Sequence, residues 1–154
     1  MELFDIPREA IPSMYMLGKS GVLKSDYWGK GCGFRSIRDS EIAKSVLPHI
    51  PETNLTKNLD LDSVDIRYIT YNLNGKYTIA THNDYCDATL IIYIYKDTTI
   101  HTDDFHIEGT KLLGQWSKNN SGYRAIIFDG HSEHGGILEG VGRRKVLVLH
   151  FSKK

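Results

Sequence analysis

The chain has 154 residues, 40% of them hydrophobic and 25% charged, with 19 basic side chains against 19 acidic ones. That size and apolar fraction suit one soluble globular domain, able to bury a core without disulfide or zinc staples. Balanced charge offers no general attraction to nucleic acid or an anionic membrane, so neither is expected as a partner, and Cys32 and Cys86 cannot build a disulfide framework. The N-terminus, Met1-Glu2-Leu3-Phe4-Asp5-Ile6-Pro7-Arg8, carries an early acid and an early proline and does not read as a signal peptide. No apolar run is long enough to span a bilayer. A reduced, cytoplasmic setting is the expectation.

Up to about residue 62 the chain holds all four prolines and a glycine-rich stretch, Gly29–Gly33, flanked by Tyr27, Trp28 and Phe34. That stretch lacks the Gly-Lys-Ser/Thr ending of a phosphate loop and reads as a surface loop near a pocket mouth. A helix is predicted from the polar cluster Ser36–Ser40 through Ile42, Ala43, Val46 and Leu47, ended by Pro48. The segment 52–62, rich in Asn, Asp, Thr and Lys, reads as a loop.

Strands follow. Val64–Tyr71 alternates, and Tyr77–His82 comes after Asn74-Gly75, a strong hairpin signal. Further strands are predicted at Ala88–Tyr95, Thr98–His101, Phe105–Glu108, Tyr123–Phe128 and Arg144–Phe151. Many short strands separated by Gly, Asn and Asp turns point to an antiparallel two-sheet or closed architecture. The expected fold is mainly β with a short N-terminal helical layer, a double-stranded β-helix or jelly roll. Residues 1–62 would form a support of helix and loops, and residues 63–154 the jelly-roll core, within a single domain over 1–154.

His82-Asn83-Asp84 is the first chemically informative triplet. Positions i and i+2 of a strand share a face, so an imidazole and a carboxylate would converge on one point. With a later histidine they would make a 2-His-1-carboxylate facial triad, which leaves open positions on an iron ion. The segment Tyr123–His134 supplies that histidine, as a hydrophobic strand running into a polar loop that ends on His134. Arg143 and Arg144 then precede the last strand, and an arginine fork there suits capture of a carboxylate.

On these elements the sequence resembles the iron(II)/2-oxoglutarate dioxygenases, most closely the prolyl-hydroxylase-like branch. The resemblance runs roughly from Ile66 to Phe151. It rests on an ordered set: Tyr71, Gly75 and Tyr77, then His82-x-Asp84, then Tyr93-Ile94-Tyr95-Lys96-Asp97, then His134 and the Gly-x-Arg of Gly142 to Arg144. It implies that His82, Asp84 and His134 bind Fe(II), with 2-oxoglutarate and dioxygen as cosubstrates. It also implies hydroxylation of a small molecule, amino acid or peptide side chain, with release of succinate and carbon dioxide. The far carboxylate of 2-oxoglutarate would pair with Arg144 or Arg143. Strand parity favours Arg144, which shares a face with Val146 and Val148. Tyr93 matches a position that helps hold the same carboxylate, and Tyr71 is a weaker candidate for the pocket wall.

The chain departs from the resemblance where many members carry Gly-Gly before a mid-domain strand; here the sequence is Asp103-Asp104-Phe105. His131 falls outside the late-histidine spacing, and His49, His101, His106 and His150 read as solvent-facing or hydrogen-bonded structural residues. The alternative function is a cupin-like metal-binding barrel, an isomerase or binding module that does not use 2-oxoglutarate. The sequence does not indicate an oligomeric state.

Overall fold

A computed structural model describes residues 1–11, 21–24, 31–37, 40–113, 116 and 122–154. Tyr27, Trp28 and Gly29, the start of the expected mouth loop, lie outside them. In chain order the strands are β1 (Glu2–Pro7), β2 (Gly21–Lys24), β3 (Cys32–Ile37), β4 (Asp65–His82), β5 (Ala88–Lys96), β6 (Ile100–Ile107), β7 (Thr110–Leu113), β8 (Gly122–Phe128) and β9 (His134–Phe151). Among the described residues one α-helix, α1 (Glu41–Val46), precedes β4 and runs into a 3-10 turn, Leu47–His49, that contains Pro48. Proline has no N–H to continue the α ladder, so the helix stops where the sequence predicts. No helix among the described residues is long and apolar enough to cross a membrane.

The hydrogen-bonded order is β1-β8-β5-β9-β4-β3-β2, with β6 joining β9 and β7 joining β6. All the pairings are antiparallel, and the sheet does not close on itself. The long strands β4 and β9 each have 18 residues and belong to two layers at once. The N-terminal part of β4 and the C-terminal part of β9 lie in the large layer with β1, β2, β3, β5 and β8. Their other halves pair in a small layer with β6 and β7. Straight, such a strand would be about 60 Å long, well beyond a chain of this size with its radius of gyration of about 15 Å. Both strands therefore bend, at paired glycines. Gly75 (φ 120°) faces Gly140 (φ 138°), in backbone regions that other residues rarely adopt.

This corrects the hairpin expected at Asn74-Gly75. The two halves of β4 do not pair with each other; both pair with β9, and the glycine serves a bend inside one strand. The strand expected from Arg144 begins ten residues earlier, at His134. The strands expected at Thr98–His101 and Phe105–Glu108 are one strand, β6. The N-terminal segment also carries β1, β2 and β3 beside its helix and loops, and Cys32-Gly33 of the glycine-rich stretch lies in β3.

The large layer is apolar on both faces. Leu90, Ile92 and Ile94 of β5 and Leu147, Leu149 and Phe151 of β9 pack with Ile42, Ala43 and Val46 of α1. The alternate residues, Tyr93 of β5 and Val146 and Val148 of β9, join Phe105, Phe128 and Leu138 in an inner core. A strand buried on both faces reads as a continuous apolar run, as Leu90–Ile94 does. The inner face borders the site.

Candidate metal centre and its pocket

His82 ends β4 and His134 opens β9, and the two residues are cross-strand partners. That pairing sets their rings side by side, with centroids 4.4 Å apart. Asp84 lies two residues beyond the end of β4, in the connection to β5, where its backbone N–H donates to the Gly130 carbonyl at 2.8 Å. It reaches the histidines through this anchored loop, not through the strand alternation expected from the sequence. The next residue, Tyr85, has φ 53° and an N–H that donates to Asn83 Oδ1 at 3.0 Å, which fixes the turn.

One ligating atom from each of His82, Asp84 and His134 lies within 4.8 Å of the others. Asp84 Oδ1 is 3.4 Å from His82 Nε2, and Asp84 Oδ2 is 3.2 Å from His134 Nε2. Ligands at right angles on one first-row ion, each at roughly 2.1 Å, stand about 3 Å apart. The backbone sets the tautomers. His82 Nδ1 is 2.7 Å from the Ala80 carbonyl, and His134 Nδ1 is 2.9 Å from the Ser132 carbonyl. A carbonyl only accepts, so each Nδ1 carries a proton and each ring turns its Nε2 inward, where the neutral form offers a lone pair. Asp84 is held far below the usual carboxylate range: burial pushes it up, but hydrogen bonds with His134, His150, His82 and Thr89 outweigh burial. Three electron-pair donors thus converge, and the arrangement is stable only with positive charge among them. A metal ion supplies that charge, or protons on the rings do. His82 is raised, chiefly by Asp84, as this requires.

The Thr89 hydroxyl donates to Asp84 Oδ2 at 2.7 Å. His150, the last inward-facing histidine of β9, stands between two carboxylates, with Nε2 3.5 Å from Asp84 Oδ2 and Nδ1 3.6 Å from Asp65 Oδ2. Burial lowers its pKa, but Asp65 and Asp84 together push it up to about 9. The sequence reading set His150 among structural histidines. It is hydrogen-bonded, and its partner is the carboxylate of the candidate triad. The parity of Arg144, Val146, Val148 and His150 along β9 was the available signal. His131 is exposed in the loop before β9, 3.9 Å from Asp87.

A pocket of about 750 Å³ opens from the triad and is bordered by Tyr71, Tyr93, Arg144 and His150. Arg144 is buried, and Tyr71 opposes it across the β4–β9 ladder with the guanidinium 5.0 Å from the ring centre. Tyr93 lies 5.9 Å from the same group. Burial raises Tyr71 to about 12, against the lowering effect of Arg144, and also raises Tyr93. Arg143 points the other way and is exposed; its backbone N–H donates to Asp97 Oδ2 at 2.8 Å. Sequence reasoning missed the partner of Arg144. Asp103 accepts from Arg144 Nε at 2.7 Å and from Nη2 at 3.2 Å, and also accepts from Trp116 Nε1 at 2.8 Å.

No family model matches the chain, and no curated protein does. Among solved structures it is similar to an oxidoreductase of the 2OG-Fe(II) oxygenase family from Burkholderia pseudomallei. The TM-score is 0.56 and the identity 10%, over 99% of this chain and 84% of that one. It is also similar to a cupin-2 domain protein from Rhodospirillum rubrum, with TM-score 0.49 and 9% identity, over 88% and 73% of the two chains. A prolyl 4-hydroxylase from Phytophthora capsici gives a TM-score of 0.47 and 13% identity over 75% of this chain, which spans only 40% of that protein. The likeness to the Burkholderia protein is one of fold: the chain is a jelly roll whose sheet stays open.

Proposed function

We propose that this chain is an iron(II)- and 2-oxoglutarate-dependent dioxygenase that hydroxylates a small molecule, an amino acid or a peptide side chain. The observation that carries the reading is the convergence of His82 Nε2, His134 Nε2 and the Asp84 carboxylate at the edge of a pocket. Each histidine is oriented by a backbone carbonyl, so no protein N–H need fill the space among them. Two neutral imidazoles and one carboxylate on one face suit Fe(II), which keeps its remaining positions for exchangeable ligands. Bound there, the ion would supply the activation of dioxygen that couples decarboxylation of the 2-oxo acid to oxidation of the substrate.

The chain's own residues would do the rest. Thr89 and His150 hold the Asp84 carboxylate in place, and Phe128 and Phe105 pack on the His134 ring, with centroids 4.8 and 5.9 Å away. Val146, Tyr71 and Tyr93 put buried apolar surface around Arg144, so that it would act on a ligand in a low-dielectric setting. The second reading, a cupin-like metal-binding barrel working without 2-oxoglutarate, draws support from one feature. Arg144 is already paired with Asp103, so its burial is accounted for without any ligand.

The deciding experiment needs no substrate. Iron(II) followed by 2-oxoglutarate is added to the protein under anaerobic conditions, and the visible charge-transfer band of the chelate is sought. The expected outcome is a band in the wild type that Asp84→Ala loses, with the fold of the variant verified by circular dichroism. Metal binding without a band would favour the cupin-like reading.

A further inference from the structure

We infer that Asp103 is a built-in competitor for ligand carboxylates at Arg144, so that the pocket barely distinguishes a 2-oxo acid with a distal carboxylate from one without. The identity of the ligand rests on the dioxygenase reading above. The competition itself rests on geometry alone.

Asp103 sits on β6 at an inward position, in alternation with Phe105 and Ile107, where the neighbours are apolar and buried. Its carboxylate fills the side-on fork of Arg144, and the two side chains are only 3% and 5% exposed. Trp116 donates to the same Oδ2 that receives Arg144 Nε. Around the guanidinium stand the rings of Tyr71, Trp116 and Tyr93, at 5.0, 5.6 and 5.9 Å. Among the described residues, this end of the pocket therefore sets the Arg144–Asp103 pair among three aromatic rings, with Lys96 Nζ 5.5 Å from the Trp116 ring centre. Among the described residues, the other arginine lining the pocket is matched too: Arg67 pairs with Asp65 at 3.1 Å.

A ligand carboxylate arriving at Arg144 meets a guanidinium that is already neutralised. It can stand on the end-on fork, which Asp103 does not use, and then two carboxylates share one cation in a nearly dry site. Otherwise it displaces Asp103, which leaves that carboxylate buried without its partner. Either course imposes a desolvation or repulsion cost that an unpaired arginine would not. A ligand whose far end is a methyl group meets the aromatic rings and an ion pair that is already neutral, and brings no second carboxylate to share the cation.

The test compares 2-oxoglutarate with 2-oxopentanoate, the five-carbon analogue that lacks the distal carboxylate. Each is titrated into the iron(II)-loaded protein without oxygen, and the chelate band is followed. For the wild type, dissociation constants within about tenfold of each other are expected; for Asp103→Asn, 2-oxoglutarate should tighten by about tenfold or more while 2-oxopentanoate changes little. A wild-type preference for 2-oxoglutarate of about a hundredfold or more overturns the proposal, whether or not the variant folds. So does an equal effect of Asp103→Asn on both acids.

A second readout needs neither iron nor turnover. Trp116 is one of two tryptophans, so Trp28→Phe leaves it as the reporter beside Asp103. Metal-free protein in that background is titrated with glutarate and with pentanoate. Similar weak responses to the two, with a gain for glutarate alone after Asp103→Asn, support the competition. A strong glutarate preference in the parent overturns it, as does the absence of glutarate binding with and without Asp103→Asn. Failure of every 2-oxo acid to give a chelate band would sink the dioxygenase reading, while the glutarate and pentanoate titrations would still decide the role of Asp103.

Discussion

At the residue scale, the two charged centres of the pocket are built on opposite plans. Around Asp84, proton acceptors converge and positive charge has to be brought in. Around Arg144, charge is already balanced by Asp103, and that balance changes what a simple truncation would report. Arg144→Ala leaves the Asp103 carboxylate buried with Trp116 as its side-chain donor among the described residues, and breaking such a pair costs about 3–5 kcal/mol. Loss of ligand affinity in that variant would thus be mixed with loss of fold. Replacing both members, Asp103→Leu with Arg144→Met, removes the stranded charge and is expected to recover most of that stability. Urea unfolding of the two single variants and the double variant checks this; a double variant as unstable as the sum of the singles would refute the account. Arg143→Ala, on the exposed face, is expected to stay within about 0.5 kcal/mol of the parent.

At the element scale, the bend shared by β4 and β9 carries the architecture, because it lets two strands serve both layers. Gly75 and Gly140 oppose each other there, but they are not equivalent. A Cβ on Gly75 would meet nothing within 4 Å, whereas on Gly140 it would fall 2.6 Å from Ile100 Cα and against the Thr99 carbonyl. Gly75→Ala should therefore cost only the positive-φ strain, about 1 kcal/mol, and Gly140→Ala that strain plus a backbone collision, about 3 kcal/mol or more. Equal losses in thermal or urea unfolding would mean that the collision is relieved at no cost. The same glycines show what the sequence could reveal. Local pattern found β5 and β8 almost to the residue, because their apolar runs are bounded by polar turns. It mistook Asn74-Gly75 for a hairpin, since the choice between a turn and a bend depends on whether β9 is there to pair with both halves. His134 was legible as the end of the polar loop that follows the strand Tyr123–Phe128. Asp103 was visible only as a departure from the resemblance, because its partner Arg144 lies 41 residues away. His150 had the same difficulty: parity puts it on the inner face, but Asp65 and Asp84 come to it from other elements.

At the scale of the whole molecule, one large layer serves two purposes, and alternate residues of β9 divide them. Leu147 is fully buried on the outer face, among residues of α1 and β5. Val148, its neighbour in sequence, is buried on the inner face and borders the pocket. Truncating Leu147 leaves a cavity in a closed core that collapses only in part, so Leu147→Ala is expected to cost about 3 kcal/mol. Truncating Val148 enlarges a space that is already open to ligand and solvent, so Val148→Ala should cost less, about 1 kcal/mol. The ligand response should run in the opposite order. Leu147→Ala, while folded, should bind iron and 2-oxo acid as the parent does, because no atom of Leu147 faces the pocket. Val148→Ala should shift the affinity or the position of the chelate band, because it changes the wall near Asp84 and Arg144. Urea midpoints and anaerobic chelate titrations on the same two proteins test both halves together. If Leu147→Ala altered the chelate as strongly as Val148→Ala, the two faces would be coupled through the sheet, and the outer core would be part of the site.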